Sequence, residues 1–299
     1  MARNAGTHPG PDPDITATSE PGPGSHPDSP PAGLIVSIIV PVLDEESRIG
    51  PMLARLHSDF PDCEVVVVDG GSSDGTPNLV HPPARLVRSA RGRGIQLNAG
   101  AAASRGEVLW IHHADTRVDP VALGQLRAAL ADPTVVGGGL TLRFDRRTPS
   151  LDYVAATSNT RARRLHWIFG DQAMFVRRSA FDKLGGFPDL PVMEDLEFSR
   201  RLARTGRTVV LPAICTASAR RFTEHGTLRM LVFMQWLKLL YFAGADPAAL
   251  ARRYAAGPRR YGPRCGAGGA GFTGLPLGSS VPTPPCSTRR PEVSDESGT

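Results

Sequence analysis

The sequence predicts an α/β domain in which a mostly parallel sheet is flanked by helices. Three observations carry this reading. Apolar, β-branched runs recur at Leu34–Val40, Val65–Val68 and Val108–Ile111, as in strands buried on both faces. Helical periodicity fills an interval between them, with Ile49, Met52, Leu53 and Leu56 on one face. The second and third runs end in polar, acid-bearing turns, at the carboxyl edge where open sheets bind ligands.

The chain has 299 residues, 40% of them hydrophobic, enough for one large domain. Its net charge is +5, and arginines gather late, at Arg252, Arg253, Arg259, Arg260 and Arg264. That distribution suits anionic lipid or phosphate more than nucleic acid, and no zinc-finger spacing, RNP-like motif or continuous basic helix is present. Cys63, Cys215, Cys265 and Cys286 are scattered. This argues against a disulfide framework or a structural zinc and fits a reducing, cytoplasmic setting. Residues 1–33 are rich in Pro, Gly, Ser and Asp without a signal-peptide layout. Residues 255–299 revert to Gly, Pro, Ser and Arg. The domain is therefore expected at 34–254, between two disordered tails.

The elements follow in order. Pro41 ends the first strand, and Asp44 or Glu45 caps the next helix. Pro61 breaks that helix, and the second strand ends at Asp69-Gly70-Gly71-Ser72-Ser73-Asp74-Gly75-Thr76. Two strands joined by a helix imply a right-handed βαβ unit. The turn after the first strand, Pro41-Val42-Leu43-Asp44-Glu45-Glu46, is acidic and lacks the dinucleotide fingerprint. It would repel a pyrophosphate and suits hydrogen bonds to a base or ribose. Asp69 is placed for the same task. Asp44, Asp69 and Asp74 can equally act as caps.

Arg91-Gly92-Arg93-Gly94 then opens an alanine-rich helix, and such a loop at a helix N-terminus suits phosphate. The third strand stops at His112-His113-Ala114-Asp115. Asp115 either caps a turn or holds a hard divalent cation shared with substrate phosphates. Asp119 and Pro120 start a helix carrying Leu123, Leu126 and Leu130. Gly170-Asp171-Gln172 precedes a short strand at Ala173–Val176. Met193-Glu194-Asp195-Leu196-Glu197 opens a helix that ends at Gly206. Without further context, Glu194 and Asp195 read as first-turn partners of the helix dipole.

The acidic first turn, Asp-Gly-Gly-Ser-Ser-Asp-Gly-Thr, Arg-Gly-Arg-Gly-Ile-Gln-Leu-Asn-Ala-Gly and His-Ala-Asp-Thr stand in order. Gly-Asp-Gln-Ala-Met-Phe, Gly-Gly-Phe-Pro, Met-Glu-Asp-Leu-Glu and a late Arg-Arg-Phe with His225-Gly226 follow. This order, spanning roughly Val36 to Tyr254, resembles the family 2 glycosyltransferases of the GT-A fold. It is most similar to the bacterial branch named for arsenosugar biosynthesis and to carotenoid-type glycosyltransferases. The resemblance implies inverting transfer of a sugar from a nucleotide-diphosphate sugar to a hydroxyl or carboxyl acceptor, small or lipid-like.

Roles follow for matched positions. Asp44 or Glu45 and Asp69 would hold base and ribose, with Pro41, Gly71, Asp74, Asn98 and Ala114 beside them. Arg93 would contact the diphosphate. Asp115 matches the last aspartate of the D-x-D metal motif, whose first position here is His113, and implies Mg2+ or Mn2+. Asp195 matches the general base, with Glu194 next to it. Neutralising the leaving diphosphate and deprotonating the acceptor are the two demands of such a reaction. Asp171 either binds sugar hydroxyls or shapes a turn. His225, in a loop, either completes the metal site or lies on the surface. Arg220 and Arg221 either close over the diphosphate or coat the surface. Two rival activities are a sugar-phosphate nucleotidyltransferase, which the acidic first turn opposes, and a catalytically silent nucleotide-sugar binder, which His113 favours.

Leu228–Phe242 is apolar but interrupted by Gln235 and Lys238, and too short to span a bilayer. It either packs on the domain or lies in the membrane interface at the inner face, with Lys238 snorkelling.

Overall fold

The computed structural model describes residues 33–258. The expected tails therefore lie outside the described residues, apart from Gly33 and residues 255–258.

Eight strands form the sheet: β1 (Val36–Val42), β2 (Glu64–Asp69), β3 (Arg85–Arg88), β4 (Val108–Ile111), β5 (Arg117–Val118), β6 (Val135–Phe144), β7 (Phe175–Arg177) and β8 (Arg207–Ala217). Nine helices accompany them among the described residues. They are α1 (Glu46–Asp59), α2 (Arg93–Ala103), α3 (Ala122–Leu130), α4 (Pro149–Leu165), α5 (Arg178–Leu184), α6 (Glu194–Leu202), α7 (Arg220–His225), α8 (Thr227–Phe242) and α9 (Pro247–Ala256).

The strand order is β3-β2-β1-β4-β7-β6-β8-β5. The pairs β1–β2, β1–β4, β2–β3 and β6–β8 are parallel, as the βαβ reading requires. β7 runs antiparallel between β4 and β6, and β5 antiparallel beside β8. Alternation along each strand feeds two cores. Ile38, Val40 and Trp110 face one side with the α1 residues Ile49, Met52 and Leu56. Ile39, Leu109 and Ile111 face the other with Leu97 and Ala101 of α2. α2 lies close on the sheet because Gly100 is bare: a Cβ there would stand 2.5 Å from Ile39 Cγ2.

Several boundaries differ from expectation. Pro41 does not end β1, which continues to Val42, because Pro41 pairs with Val68 at the strand end, where a missing donor is tolerated. Neither Asp44 nor Glu45 makes a side-chain cap to α1. β7 begins at Phe175 rather than Ala173, since Ala173 is left-handed at φ 45°. α6 stops at Leu202, short of Gly206. The last helix runs to Ala256, two residues past the expected domain end, and is capped at its start by Asp246.

Candidate active site

Two loops meet at the carboxyl ends of β1 and β2. Asp44 Oδ1 accepts hydrogen bonds from Ser73 N (2.7 Å) and Ser73 Oγ (3.0 Å), and Asp44 N donates to Ser72 Oγ. Asp74 accepts from Glu46 N and Thr76 N, and Glu45 N donates to Thr76 Oγ1. Buried Asp69 accepts from Gly71 N, Ser72 N and Ser72 Oγ. The aspartates thus lace the acidic turns to each other, as capping readings anticipate, and hold the rim rigid. Glu45 pairs with Arg48 at 2.5 Å. Asp44 is left-handed at φ 53°, an uncommon conformation at a ligand edge.

Gln96, which the sequence left without a role, underpins both loops. Its buried Nε2 donates to Val42 O (2.8 Å) and Val68 O (2.9 Å), tying the last residues of β1 and β2 to α2. Asn98 is a correction. Its amide donates to Phe187 O and its carbonyl accepts from Phe187 N, so both polar atoms are engaged in clamping the 185–188 loop to α2. Ala114 is buried in the core, and Pro41 and Gly71 stand on the rim strand and loop.

The chemistry-bearing groups gather where α2, the 169–172 turn and α6 converge. Arg93, first residue of α2, stands 3.3 Å from Glu194 Oε1 at the start of α6. Its guanidinium also contacts His113 Nε2. A Cβ at Gly170 would crowd the ends of the Arg93 and His113 side chains, which would have to move aside. Gly170 N donates to Asp195 Oδ2 at 3.0 Å, and Leu196 N caps Asp195 Oδ1 at 2.7 Å. Asp195 is thereby oriented by backbone alone. Asp171 Oδ1 is buried with no hydrogen-bond partner.

Electrostatics separate these carboxyls. Burial pushes Glu194 up to about 7, the neighbouring Asp195 charge adds to the rise, and Arg93 opposes it. Burial also raises Asp171, against the pull of Arg161. Two buried acids with raised values beside an oriented Asp195 side chain are a pattern found at functional sites. His113 is held well below its ordinary value, first by burial and then by Arg93, so it is neutral. His112 is driven to about 3 by burial and stacks edge-on against Trp110 at 4.5 Å, a core residue.

The expected set His113, Asp115 and His225 is not brought together as a three-ligand centre. Among the described residues no three His, Cys, Asp or Glu side chains form a metal-holding group. His113 faces Arg93 instead, and a guanidinium occupies the lone-pair side a cation would need. Asp115 is an exposed carboxylate just past β4. It fits a divalent cation in one mode, as a single protein oxygen ligand that substrate phosphates complete.

His225 ends α7 rather than lying in a loop. With Arg220, Arg221 and Tyr254 it lines a cavity of about 310 Å³. Arg221 stacks over the Tyr254 ring at 4.3 Å, and Arg220 reaches Glu224 at 3.9 Å. Tyr254 is raised mainly by burial, and Arg93, Asp171 and Asp195 are all close enough to act on it. This polar cavity therefore borders the carboxylate cluster. Arg161 of α4 and Phe169, one residue before the Gly170-Asp171-Gln172 turn, also belong to the site and were missed; α4 carried no motif to betray Arg161, and Phe169 lay just outside that turn's motif.

The chain is similar to known glycosyltransferases in sequence and fold. A beta-monoglucosyldiacylglycerol synthase of Synechocystis sp. is 26% identical over 240 residues, covering 68% of this chain and 50% of the relative. The chain spans about half the length of the curated relatives it matches. A mannosyltransferase from Pyrobaculum calidifontis, solved with GDP-Man and Mn2+, is 25% identical with a TM-score of 0.56, covering 75% of this chain and 70% of that one. Glucosyl-3-phosphoglycerate synthase from Mycobacterium tuberculosis shares the fold, with a TM-score of 0.50, 20% identity, and coverage of 72% and 82%. Residues 37–185 match the model of Glycosyl transferase family 2, and through this domain the chain belongs to that family.

Proposed function

We propose that the chain transfers a glycosyl group from a nucleotide-diphosphate sugar to an acceptor hydroxyl or carboxyl, with inversion. The observation that carries this is the cluster itself. An oriented Asp195, an unpartnered Asp171 oxygen and the Arg93–Glu194 pair share one sheet edge. The laced rim of Asp44 and Asp69 receives the base and ribose. The first turn of α2 has no side-chain cap, so its free amides and Arg93 face the diphosphate. Asp171 Oδ1 accepts a donor-sugar hydroxyl. Asp195, on the acceptor side, takes the acceptor proton. A divalent cation on Asp115, Mg2+ or Mn2+, would neutralise the leaving diphosphate. The mannosyltransferase solved with Mn2+ supports that reading. The arsenosugar-type branch rests on motif order and the cytoplasmic setting on cysteine pattern; no described helix is long and apolar enough to cross a membrane.

The test is titration calorimetry with UDP, GDP and CDP, with and without Mn2+. Binding of one nucleotide, weakened at least tenfold by EDTA or by Asp115→Ala, is expected. Binding indifferent to both overturns the cation's role. Absence of binding to all three overturns the transferase reading.

A further inference from the structure

α8 is largely apolar, broken by Arg229, Gln235 and Lys238, yet much of it lies on the surface. Leu228, Val232, Trp236 and Leu239, spaced by four, four and three residues, are 74%, 59%, 43% and 67% exposed. Beside this stripe, α4 and α8 enclose a groove of about 480 Å³, walled by Leu165, Trp167, Leu231, Leu239 and Phe242. That volume is in the range of small-ligand pockets. Such a groove would be an ordinary apolar crease were it not for two cations within it.

Arg161 of α4 and Lys238 of α8 both line the groove. Lys238 is only 8% exposed, and its ammonium has no hydrogen bond or ion pair among the described residues. Arg161 bonds Trp167 O and Gln172 Oε1, neither of them charged. Both cations bear on one ring: Arg161 sits 3.7 Å above Phe169 and Lys238 Nζ lies 5.6 Å from its centre. Phe169 immediately precedes Gly170, whose N–H holds Asp195. The inner end of the groove therefore abuts the carboxylate cluster. Asp171 and Asp195 are near enough to act on Lys238, which burial nonetheless lowers to about 8. A buried lysine and arginine at the end of an apolar trough complement one ligand chemistry, a hydrocarbon chain ending in an anion.

We infer that the α4–α8 groove is the acceptor subsite, and that it takes a single-chain amphiphile with an anionic phosphate or carboxylate group seated on Lys238 and Arg161. This rests on the transferase reading above and names its acceptor class. The chain lies against Leu165, Leu231 and Leu239, the anion rests on Lys238 and Arg161, and an acceptor hydroxyl beside it points along Phe169 toward Asp195, which takes its proton.

The probes are dodecyl phosphate, dodecanoate and dodecanol below their micellar concentrations, inorganic phosphate, and anionic phospholipid vesicles. Binding to the full chain is followed by tryptophan fluorescence, since Trp167 lines the groove. Dodecyl phosphate or dodecanoate is expected to bind at least tenfold more tightly than dodecanol, and the tighter of the two names the head group. Inorganic phosphate alone should not bind. Lys238→Met, similar in shape, should erase the preference for the anion while leaving dodecanol binding unchanged. Leu239→Glu, at an exposed wall position that does not threaten folding, should weaken both amphiphiles. Equal affinity for dodecanol and the anionic probes, or an unchanged Lys238→Met, overturns the inference. Binding to vesicles without binding to monomeric amphiphile overturns it in favour of a membrane-docking face. Nucleotide titration of the same samples separates the two readings, because the donor site can fail while the groove still binds.

Discussion

Arg93 Nε stands 3.3 Å from Glu194 Oε1, joining the first turn of α2 to the first turn of α6. Through this pair α2 is tied to the helix that bears Asp195. Glu194 is raised because it is buried beside Asp195, and Arg93 offsets part of that cost. An acid whose folded-state value is raised binds more protons folded than unfolded, so its contribution to stability falls as pH rises. The window runs from about 4.5 to about 7.

Glu194→Gln removes this dependence. Relative to the parent, the variant should gain up to about 3 kcal/mol of stability between pH 4.5 and pH 8. Urea unfolding at several pH values reads the difference. Parallel pH profiles for the two proteins would refute the assignment.

Asp195→Asn keeps the side chain's shape and one of its two backbone hydrogen bonds, since a single oxygen still accepts, and removes the base. Turnover should fall by roughly 100-fold or more. Nucleotide affinity, measured by calorimetry, should stay within about twofold, the limit that separates loss of a base from loss of the site.

Asp171→Asn places a neutral amide where a carboxyl oxygen is buried without a partner. Because burial raises Asp171, its ionised form costs stability as pH rises. The variant should therefore gain stability relative to the parent as pH rises from acidic values to pH 8. Its kcat/KM should drop at least about tenfold through the lost sugar contact. Thermal melts at two pH values and initial rates check both halves.

Gln96→Leu removes the donor that Gln96 Nε2 gives to Val42 O and Val68 O, leaving a buried apolar side chain against both carbonyls, with Gly70 N still bound to Val42 O. A loss of about 2 kcal/mol is expected. Nucleotide affinity should weaken as well, because the loops after β1 and β2 lose their common anchor. Unchanged nucleotide affinity in the folded variant would confine Gln96 to stability.

Much of the site was legible because local chemistry marks it. Asp44, Asp69 and Asp74 end strands in turn-forming sequences, and the Arg-Gly-Arg-Gly loop announces an uncapped helix start. Glu194-Asp195 opens a helix with acids in its first turn. The strands β1, β2 and β4 were readable from their apolar runs, since parallel strands are buried on both faces. β7 was displaced by two residues because Ala173 adopts a left-handed conformation that no residue type announces. α4 and α9 passed unread, since their burial is partial and their sequences rich in arginine and alanine.

The order of acidic turns, glycine loops and carboxylate pairs along the chain by itself determined the family fold and the sheet edge where chemistry lies. Each of those features is a short-range preference of the backbone. The tertiary structure alone decided how the side chains are shared out. It turned Asn98 into a clamp, set His113 against Arg93 rather than in a three-ligand centre, and raised Glu194 through burial beside Asp195. It also brought Arg161 and Lys238, far apart in sequence, within 3.7 and 5.6 Å of the centre of the Phe169 ring, next to Gly170. Burial and through-space charge depend on distances between remote segments, and those distances exist only once the chain has folded.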